Sequence, residues 1–419
     1  MAGTATATWR RFAASTLGFW FAAASVLVVP AARSEEWSLE NTVQTRLESN
    51  DNYRLSATPK GRVDVLSLGS ALTASRRAES SATRIDAGVT GYVVSGESGQ
   101  NRVDGNLGLS QSITNLVDSY NVDLRYLRDS TFDSELTTTG VVLARGQRSS
   151  ASASAGWSRA LTERLRFDAQ ASLADVSYER QQSGGTDYRY AVLSGSLEYL
   201  VSELDRLSVR FSHSDYRAAA AGTHSEADDF LVGWSHTLSE RMSASVDYGL
   251  YFNRSADRPL VCPAPSVLCE FGLVEYARAT QDVVSSSRGG QYSAAWQYRS
   301  DEVTDAEVRL SLQLQPSGAS VLLETQSFSA TLNRRLSPTV TGKLDAVDSR
   351  SRYLGAGIAS RPSYRSLGVA VSKALDLDLS VEAGWRAVRS LERLSGSSAH
   401  SNLIYASLKY DWPRFSASR

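Results

Sequence analysis

The stretch RLRFDAQASLADVSY, Arg164 to Tyr178, places Leu165, Phe167, Ala169, Ala171 and Leu173 on one parity and Arg166, Asp168, Gln170 and Ser172 on the other. Successive side chains of a strand point to opposite faces, so this alternation writes a strand with one apolar and one polar side. RMSASVDYGLYF opposes Met242, Ala244, Val246, Tyr248, Leu250 and Phe252 to Ser243, Ser245, Asp247, Gly249 and Tyr251. DLDLSVEAGW sets Leu377, Leu379, Val381, Ala383 and Trp385 against Asp378, Ser380, Glu382 and Gly384. Near the end, NLIYASLKYDW sets Ile404, Ala406, Leu408, Tyr410 and Trp412 against Tyr405, Ser407, Lys409 and Asp411. No apolar run after residue 34 approaches the length of a transmembrane helix. Two architectures satisfy such a chain: sheets packed on a dry core in water, or one closed sheet whose apolar side meets lipid.

The connections separate these two. SRALTERLRF from Ser158, YLVSELDRLSVRF from Tyr199, SHTLSERMSAS from Ser235, NRRLSPTVTGKL from Asn333 and SKALDLDLSVE from Ser372 share one punctuation. Each has a leucine before a tight polar turn that leads into another alternating run, so the repeating unit is a hairpin. The other connections are longer and unlike one another. They are LRDSTFDSELTTTGVVLARGQRS after Tyr126, ERQQSGGTD from Glu179, YRAAAAGTHSEADD from Tyr216, and the longest, from about Asn253 to Arg288. Short turns at one end and long loops at the other mark a barrel that crosses a membrane, short side periplasmic and long side extracellular.

Counted in order, runs begin near residues 38, 64, 82, 102, 119, 148, 165, 187, 206, 228, 242, 287, 304, 320, 339, 352, 378 and 399, which makes eighteen. An even number returns both termini to the periplasmic side. RYLGAGIASRPSYRSLGVAVSKAL, from Arg352, also reads as one strand bulged or broken at Pro362, which leaves sixteen. The expected fold is all-β, a transmembrane antiparallel up-and-down β-barrel of about 18 strands over residues 35–412. Long extracellular loops are expected near 130–147 and 253–287, and a short periplasmic tail at 413–419. Closure pairs every backbone group, each of which costs several kcal/mol if left bare in hydrocarbon, and removes the sheet edge. Tyr178, Tyr199, Tyr248, Phe252, Tyr298, Tyr410 and Trp412 lie near run ends, where interfacial aromatic girdles belong.

Residues 1–34 read as a secretory signal peptide: Arg10 and Arg11, the apolar run Phe12 to Ala32, small residues near the exit, and cleavage after Ala32 or Ser34. A single membrane anchor is the competing reading. Removing Arg10, Arg11 and Arg33, and no acid, moves the formal charge from -1 to -4, so the chain carries no electrostatic footprint for nucleic acid. In an exported protein, Cys262 and Cys269 of CPAPSVLC suit a disulfide closing a loop better than a metal site.

The inward parity supplies the candidate functional residues. Arg125, Arg166, Asp168, Arg210, Asp247, Arg309, Lys343, Asp345, Glu382, Arg386 and Lys409 are expected to face the lumen. They either border a water-filled path or pair across the interior and fill it. Inward Tyr251 and Tyr405 have the chemistry to stack on sugar rings.

The leader and the terminal aromatic strand resemble Gram-negative outer-membrane β-barrels. The resemblance implies that Leu408, Tyr410 and Trp412 serve as a signal for the barrel-assembly machinery, although seven residues follow Trp412 here. VQTRLESNDNYRLSATPKGRVDVLSLGSALTASRR, from Val43, resembles the opening of barrels found with bacterial exopolysaccharide and protein-sorting gene clusters. Asp51-Asn52 and the following LSLGSALTASR carry that match. It implies a conduit in the outer membrane for polar solutes, leaning to secretion of exopolysaccharide with periplasmic export proteins as partners. The alternatives are a general diffusion porin, a structural or adhesive barrel displaying its loops, and an outer-membrane lipase or protease.

The last alternative has little in the sequence to support it. His213, His224, His236 and His400 are scattered, with His224 expected in an outer loop. GVTGYVVSGESG, from Gly88, is glycine-rich but lacks the lysine of a phosphate loop. No cofactor or metal is expected, and no catalytic residue is assigned.

Overall fold

Each alternating run becomes a strand. A computed structural model describes residues 35–59, 61–96, 101–140, 146–179, 185–258, 260–262, 277–278, 281–300, 303–354, 361–392 and 397–418; the expected signal peptide lies outside them. The first half contains β1 (Glu36–Asn50), β2 (Val63–Ala78), β3 (Ser81–Ser95), β4 (Arg102–Thr114) and β5 (Asp118–Ser130). A helix, α1 (Thr131–Thr139), precedes β6 (Gln147–Ala160), β7 (Leu165–Tyr178), β8 (Tyr188–Leu200), β9 (Asp205–Ala218), β10 (Thr223–Ser239) and β11 (Met242–Asp257). Among the described residues, two short strands, β12 (Leu260–Val261) and β13 (Ala277–Arg278), pair only with each other. Then come β14 (Val283–Ser300), β15 (Thr304–Pro316), β16 (Leu322–Ser337), β17 (Val340–Tyr353), β18 (Ser363–Ala374), β19 (Leu379–Glu392), β20 (Ser397–Asp411) and β21 (Phe415–Ser418).

Consecutive wall strands pair antiparallel, β11 passes directly to β14, and β20 returns to β1 through Thr42–Asn50 against Leu403–Asp411. Eighteen strands therefore close a barrel. Three of the five repeated turns share one geometry, while the β10–β11 and β16–β17 turns close more tightly, at Ser239–Met242 and Ser337–Val340. Leu161, Val201 and Leu375 donate their N–H groups to the carbonyls four residues on, at 2.8, 3.0 and 2.8 Å. Thr162 and Ser202 accept from the N–H groups of Leu165 and Asp205, both at 3.0 Å.

The apolar parity faces outward around the whole wall, with Leu193 62% and Ile404 64% exposed, while inward positions such as Thr325 and Ser349 are buried. A continuous exposed apolar belt on a closed sheet is what lipid requires. The chain is an outer-membrane β-barrel.

Several strands outrun the bilayer. β10, β11 and β14 have 17, 16 and 18 residues, against the roughly 9–11 that a tilted strand needs to cross. Above the belt the outward parity turns polar: Phe211 gives way to His213, Asp215 and Arg217, and Phe252 to Arg254. This corrects two loop expectations and the strand expected to start near Arg352. Thr223 to Asp229, including His224, is strand, and only Ala219–Gly222 turns the chain. The long loop shrinks because β11 continues to Asp257 and β14 starts at Val283. β17 runs through Arg352 to Tyr353, and β18 starts at Ser363, just after Pro362. In each case the hydrophobic pattern stops where lipid stops, whereas the hydrogen-bonded ladder continues into water.

The tail joins the sheet. Trp412 donates to the Asn41 carbonyl at 2.8 Å, and Phe415–Ser418 then pair with Leu39–Glu36. Between Asp411 opposite Thr42 and Phe415 opposite Leu39 the C-terminal strand spends one extra residue, a bulge containing Pro413.

Candidate functional site

The interior is polar because the alternation that puts leucines in lipid puts serines and charges inside. On the β7–β11 wall, Asp168, Arg210 and Asp247 line an open cavity of about 670 Å³ together with Ser194, Ser196, Glu198 and Ser208. Ser293 donates to Asp247 at 2.7 Å. Arg166 occupies the inward position one step nearer the short-turn end than Asp168. Arg125 is inward on β5, opposite Gly108 and Ser152.

The opposite wall carries paired charges. Lys343 meets Glu382 at 2.6 Å, and Tyr405 donates to the same carboxylate at 3.0 Å. The Arg46 guanidinium stacks 3.7 Å over the Tyr405 ring, a contact absent from the sequence reading. Arg386 lies 3.5 Å from Asp345, Lys409 is 2.8 Å from Asp411, and Arg309 pairs with Glu307. These inward charges pair along the wall, within one strand or between β17 and β19, and not across the lumen.

The half of the barrel away from the short repeated turns is different, because two segments leave the wall and cross the lumen. The first is α1. Ser130 caps its N-terminus by accepting from the Phe132 N–H at 3.3 Å, and Gly140 ends it in the left-handed conformation at φ 69°. It starts between β5 and β6 and reaches the far wall, where Ser351 on β17 donates to the Thr139 carbonyl.

The second is the tip of the β15–β16 hairpin. β14 pairs with β11 up to Val283, but with β15 only from Tyr292 to Ser300. Above that point the hairpin bends inward. Leu322 and Leu323 are adjacent and both fully buried, which a wall strand with one lipid or water face does not allow. Tyr216 donates to the Ser317 carbonyl at 2.8 Å, and Thr186 donates its N–H to the Gly318 carbonyl at 2.9 Å. Leu322 completes a dry cluster with Val176, Tyr178, Tyr188, Tyr216, Ala218 and Ala227 inside the outer mouth.

The two segments meet at Glu135. Its carboxylate accepts from the Tyr178 hydroxyl, and Arg148, itself paired with Asp129 at 3.0 Å, lies 3.9 Å away. Gly318 of the hairpin tip passes so close that a Cβ there would sit 2.5 Å from the Tyr178 oxygen and 3.1 Å from Glu135. Burial pushes the Glu135 carboxyl above its usual range; the Tyr178 hydroxyl, Arg148 and the Gly318 N–H pull it back without cancelling that effect.

Two sequence expectations are corrected here. Tyr178 is not a girdle residue: it shares the parity of Arg166 and Asp168, faces inward and is 5% exposed. Tyr251 is inward but 1% exposed, because the hairpin covers it and its hydroxyl donates to Glu324 at 2.5 Å. Arg352 reaches the same Glu324 at 2.7 Å. Neither α1 nor the hairpin tip figured in the sequence reading. The signal for α1 was present as Ser130 with Asp133 three residues later and Gly140 beyond, a helix framed by its caps.

The remaining expectations lie elsewhere. Cys262 is disulfide-bonded, and Cys269 lies outside the described residues. His213, His224 and His236 pair with Asp228, Asp215 and Asp205 at 2.8, 3.0 and 2.7 Å, and among the described residues no serine hydroxyl is bonded to any of them. Asp215, His224 and Glu226 converge on the outer wall with oxygen and nitrogen atoms within 4.8 Å, but Arg217 already engages Asp215. Leu408, Tyr410 and Trp412 face lipid, with the last two rings packed edge to face at 5.5 Å.

No family model matches the chain, and no curated protein matches it. Among solved structures it is similar to Pseudomonas aeruginosa OccK5, with 10% identity over 90% of this chain and 98% of that one and a TM-score of 0.41. Acinetobacter baumannii OccAB2 gives 11% identity over 90% and 98%, with a TM-score of 0.44. The ferric-catecholate import receptor Fiu of E. coli K12, in an open form, gives 9% over 88% and 81%, with a TM-score of 0.44.

Proposed function

We propose that this barrel is a passive, non-enzymatic conduit for small polar solutes across the outer membrane, with α1 and the β15–β16 tip setting its size limit. The observation that carries the reading is the contrast within the lumen. A cavity bordered by serines and charges of both signs lies below a constriction built from two folded-in segments. Hydroxyls and balanced charges replace the hydration of a sugar or an amino acid without holding it strongly, as diffusion requires.

General diffusion is favoured over export of exopolysaccharide. A polymer needs a continuous bore, and both segments would have to leave the mouth to provide one. Tyr251, which offered a stacking surface for sugar rings, is spent on the constriction, and Tyr405 is covered by Arg46. Dedicated periplasmic export partners are therefore not part of the reading, whereas the barrel-assembly machinery is. The test is liposome swelling with a size series of sugars, together with single-channel recording of the purified chain. Uptake that falls steeply with solute size supports a sieve. Absence of both swelling and conductance would sink the conduit, and free passage of long polysaccharide would restore the export reading.

A further inference from the structure

We propose that Arg365 and Arg389 form a phosphate-binding pair on the outer wall that holds the headgroup of a phosphorylated lipid in the outer leaflet. The two residues face one another across β18 and β19, on the parity that carries the exposed Leu367, Val369 and Trp385. Directly opposed residues on one face of an antiparallel pair have Cβ atoms ~4.5–5.5 Å apart, and like charges so placed repel.

The barrel contains its own comparison. Arg189 and Arg217 are opposed in the same way across β8 and β9. Each has a carboxylate of its own, Asp175 at 2.9 Å from Arg189 and Asp215 at 2.8 Å from Arg217. Among the described residues Arg365 has only Asp348, at 2.9 Å, which Arg350 also engages at 3.2 Å. Arg389 forms no ion pair among the described residues, and its other cross-strand neighbour is His400. Among the described residues cations therefore outnumber carboxylates in this sector, and an anion seated between the two guanidiniums removes the repulsion. Each guanidinium presents a planar fork of donors that matches phosphate oxygens.

Height selects the kind of phosphate. Two residues nearer the midplane on the same face stand Leu367 and Ala387, the top of the apolar belt. A group bound between the arginines has lipid below it and water above, which is the position of a headgroup phosphate. A free anion shares the charge chemistry but gains nothing from the apolar floor.

The test is native mass spectrometry of the full chain in maltoside micelles, titrated separately with lipid A, with dephosphorylated lipid A and with inorganic phosphate. Wild-type protein should prefer the phosphorylated lipid by roughly tenfold. R365S/R389S should lose that preference, while R189S/R217S should keep it. Equal binding of the two lipids by wild-type protein overturns the proposal, as does a preference that survives in R365S/R389S. Inorganic phosphate that displaces the lipid at equal concentration overturns the assignment to a lipid. The wild-type comparison decides the matter even if a variant fails to assemble.

Discussion

The carboxylate of Asp51 accepts two hydrogen bonds from Asn402, one from the backbone N–H at 2.7 Å and one from the side-chain amide at 2.9 Å. This ties the loop after β1 to the strand that closes the barrel. Asn52 completes the clasp from a buried position, 4% exposed. Its amide donates to the carbonyls of His400 and Ser56 at 2.9 and 2.8 Å, and its oxygen accepts from the Ser56 N–H at 3.0 Å. Asn52→Ala strands these buried groups at a cost of about 1–3 kcal/mol, whereas exposed Asp51→Ala should cost about 1 kcal/mol or less. On a gel of unboiled samples, the folded band of Asn52→Ala should therefore disappear at a lower temperature than that of Asp51→Ala. The reverse order would mean that the buried amide is not what fastens the seam.

Gly318 predicts how the constriction opens. No side chain fits between the Tyr178 hydroxyl and Glu135, so Gly318→Val must push the hairpin tip out of the dry cluster. The barrel wall does not depend on that tip, because β14–β15 pairing already ends below it. The variant should keep its heat-modifiable band while its single-channel conductance rises several-fold. Unchanged conductance with an intact band would show that the tip does not obstruct the path.

Glu135 gives the constriction a pH dependence of definite sign. Its carboxyl is pushed up on docking, so the docked state holds a proton that the released state has given up. Docking is therefore favoured at low pH and weakens as pH rises from the ordinary carboxylate range through the raised value. Conductance should increase as pH rises above the ordinary glutamate range. Glu135→Gln, which stays neutral and still accepts from Tyr178, should flatten that profile near the low-pH level. A conductance that falls with rising pH in the wild type would contradict the sign.

Strand parity was legible because lipid imposes it residue by residue, and Leu165 to Leu173 needed no distant partner to be read. The constriction was not legible for the opposite reason. In TFDSELTTT only Phe132 and Leu136 are apolar, too few to announce a buried helix, and the segment it docks on lies more than 200 residues later at Ser351. Tyr178 was read as interfacial from its chemistry although its parity pointed inward. The hairpin tip is harder still, since PSGASVLLE reads as an ordinary turn and only the shortened β14–β15 ladder reveals the bend.

The paired wall makes a prediction about selectivity. Lys343 neutralises Glu382 at 2.6 Å, with the Tyr405 hydroxyl on the carboxylate's other side. Lys343→Met leaves that carboxylate facing water in the lumen, partly balanced by Arg46 over Tyr405. Reversal potentials in a salt gradient should shift towards cations, and high salt should shrink the shift because the exposed charge is screened. A shift towards anions would mean that the carboxylate does not face the ion path.

The C-terminal strand separates two candidates for the assembly signal. Tyr410 and Trp412 pack edge to face on the lipid side, and Phe415 lies on the same side one bulge further along, opposite Leu39. Deleting 413–419 makes Trp412 the last residue and removes the four pairs of β21 and the exposed ion pairs of Arg414 with Glu36 and Glu40, leaving Glu36–Leu39 still bonded to β2. That truncation should assemble, with its folded band lost at a somewhat lower temperature. The double substitution Tyr410→Ala/Trp412→Ala keeps the full ladder to β1 and β19 but strips the aromatic face, so it should accumulate unassembled in the periplasm. If the truncation fails while the double variant assembles, recognition lies in Phe415 and the residues after it, and the bulge at Pro413 serves to present them.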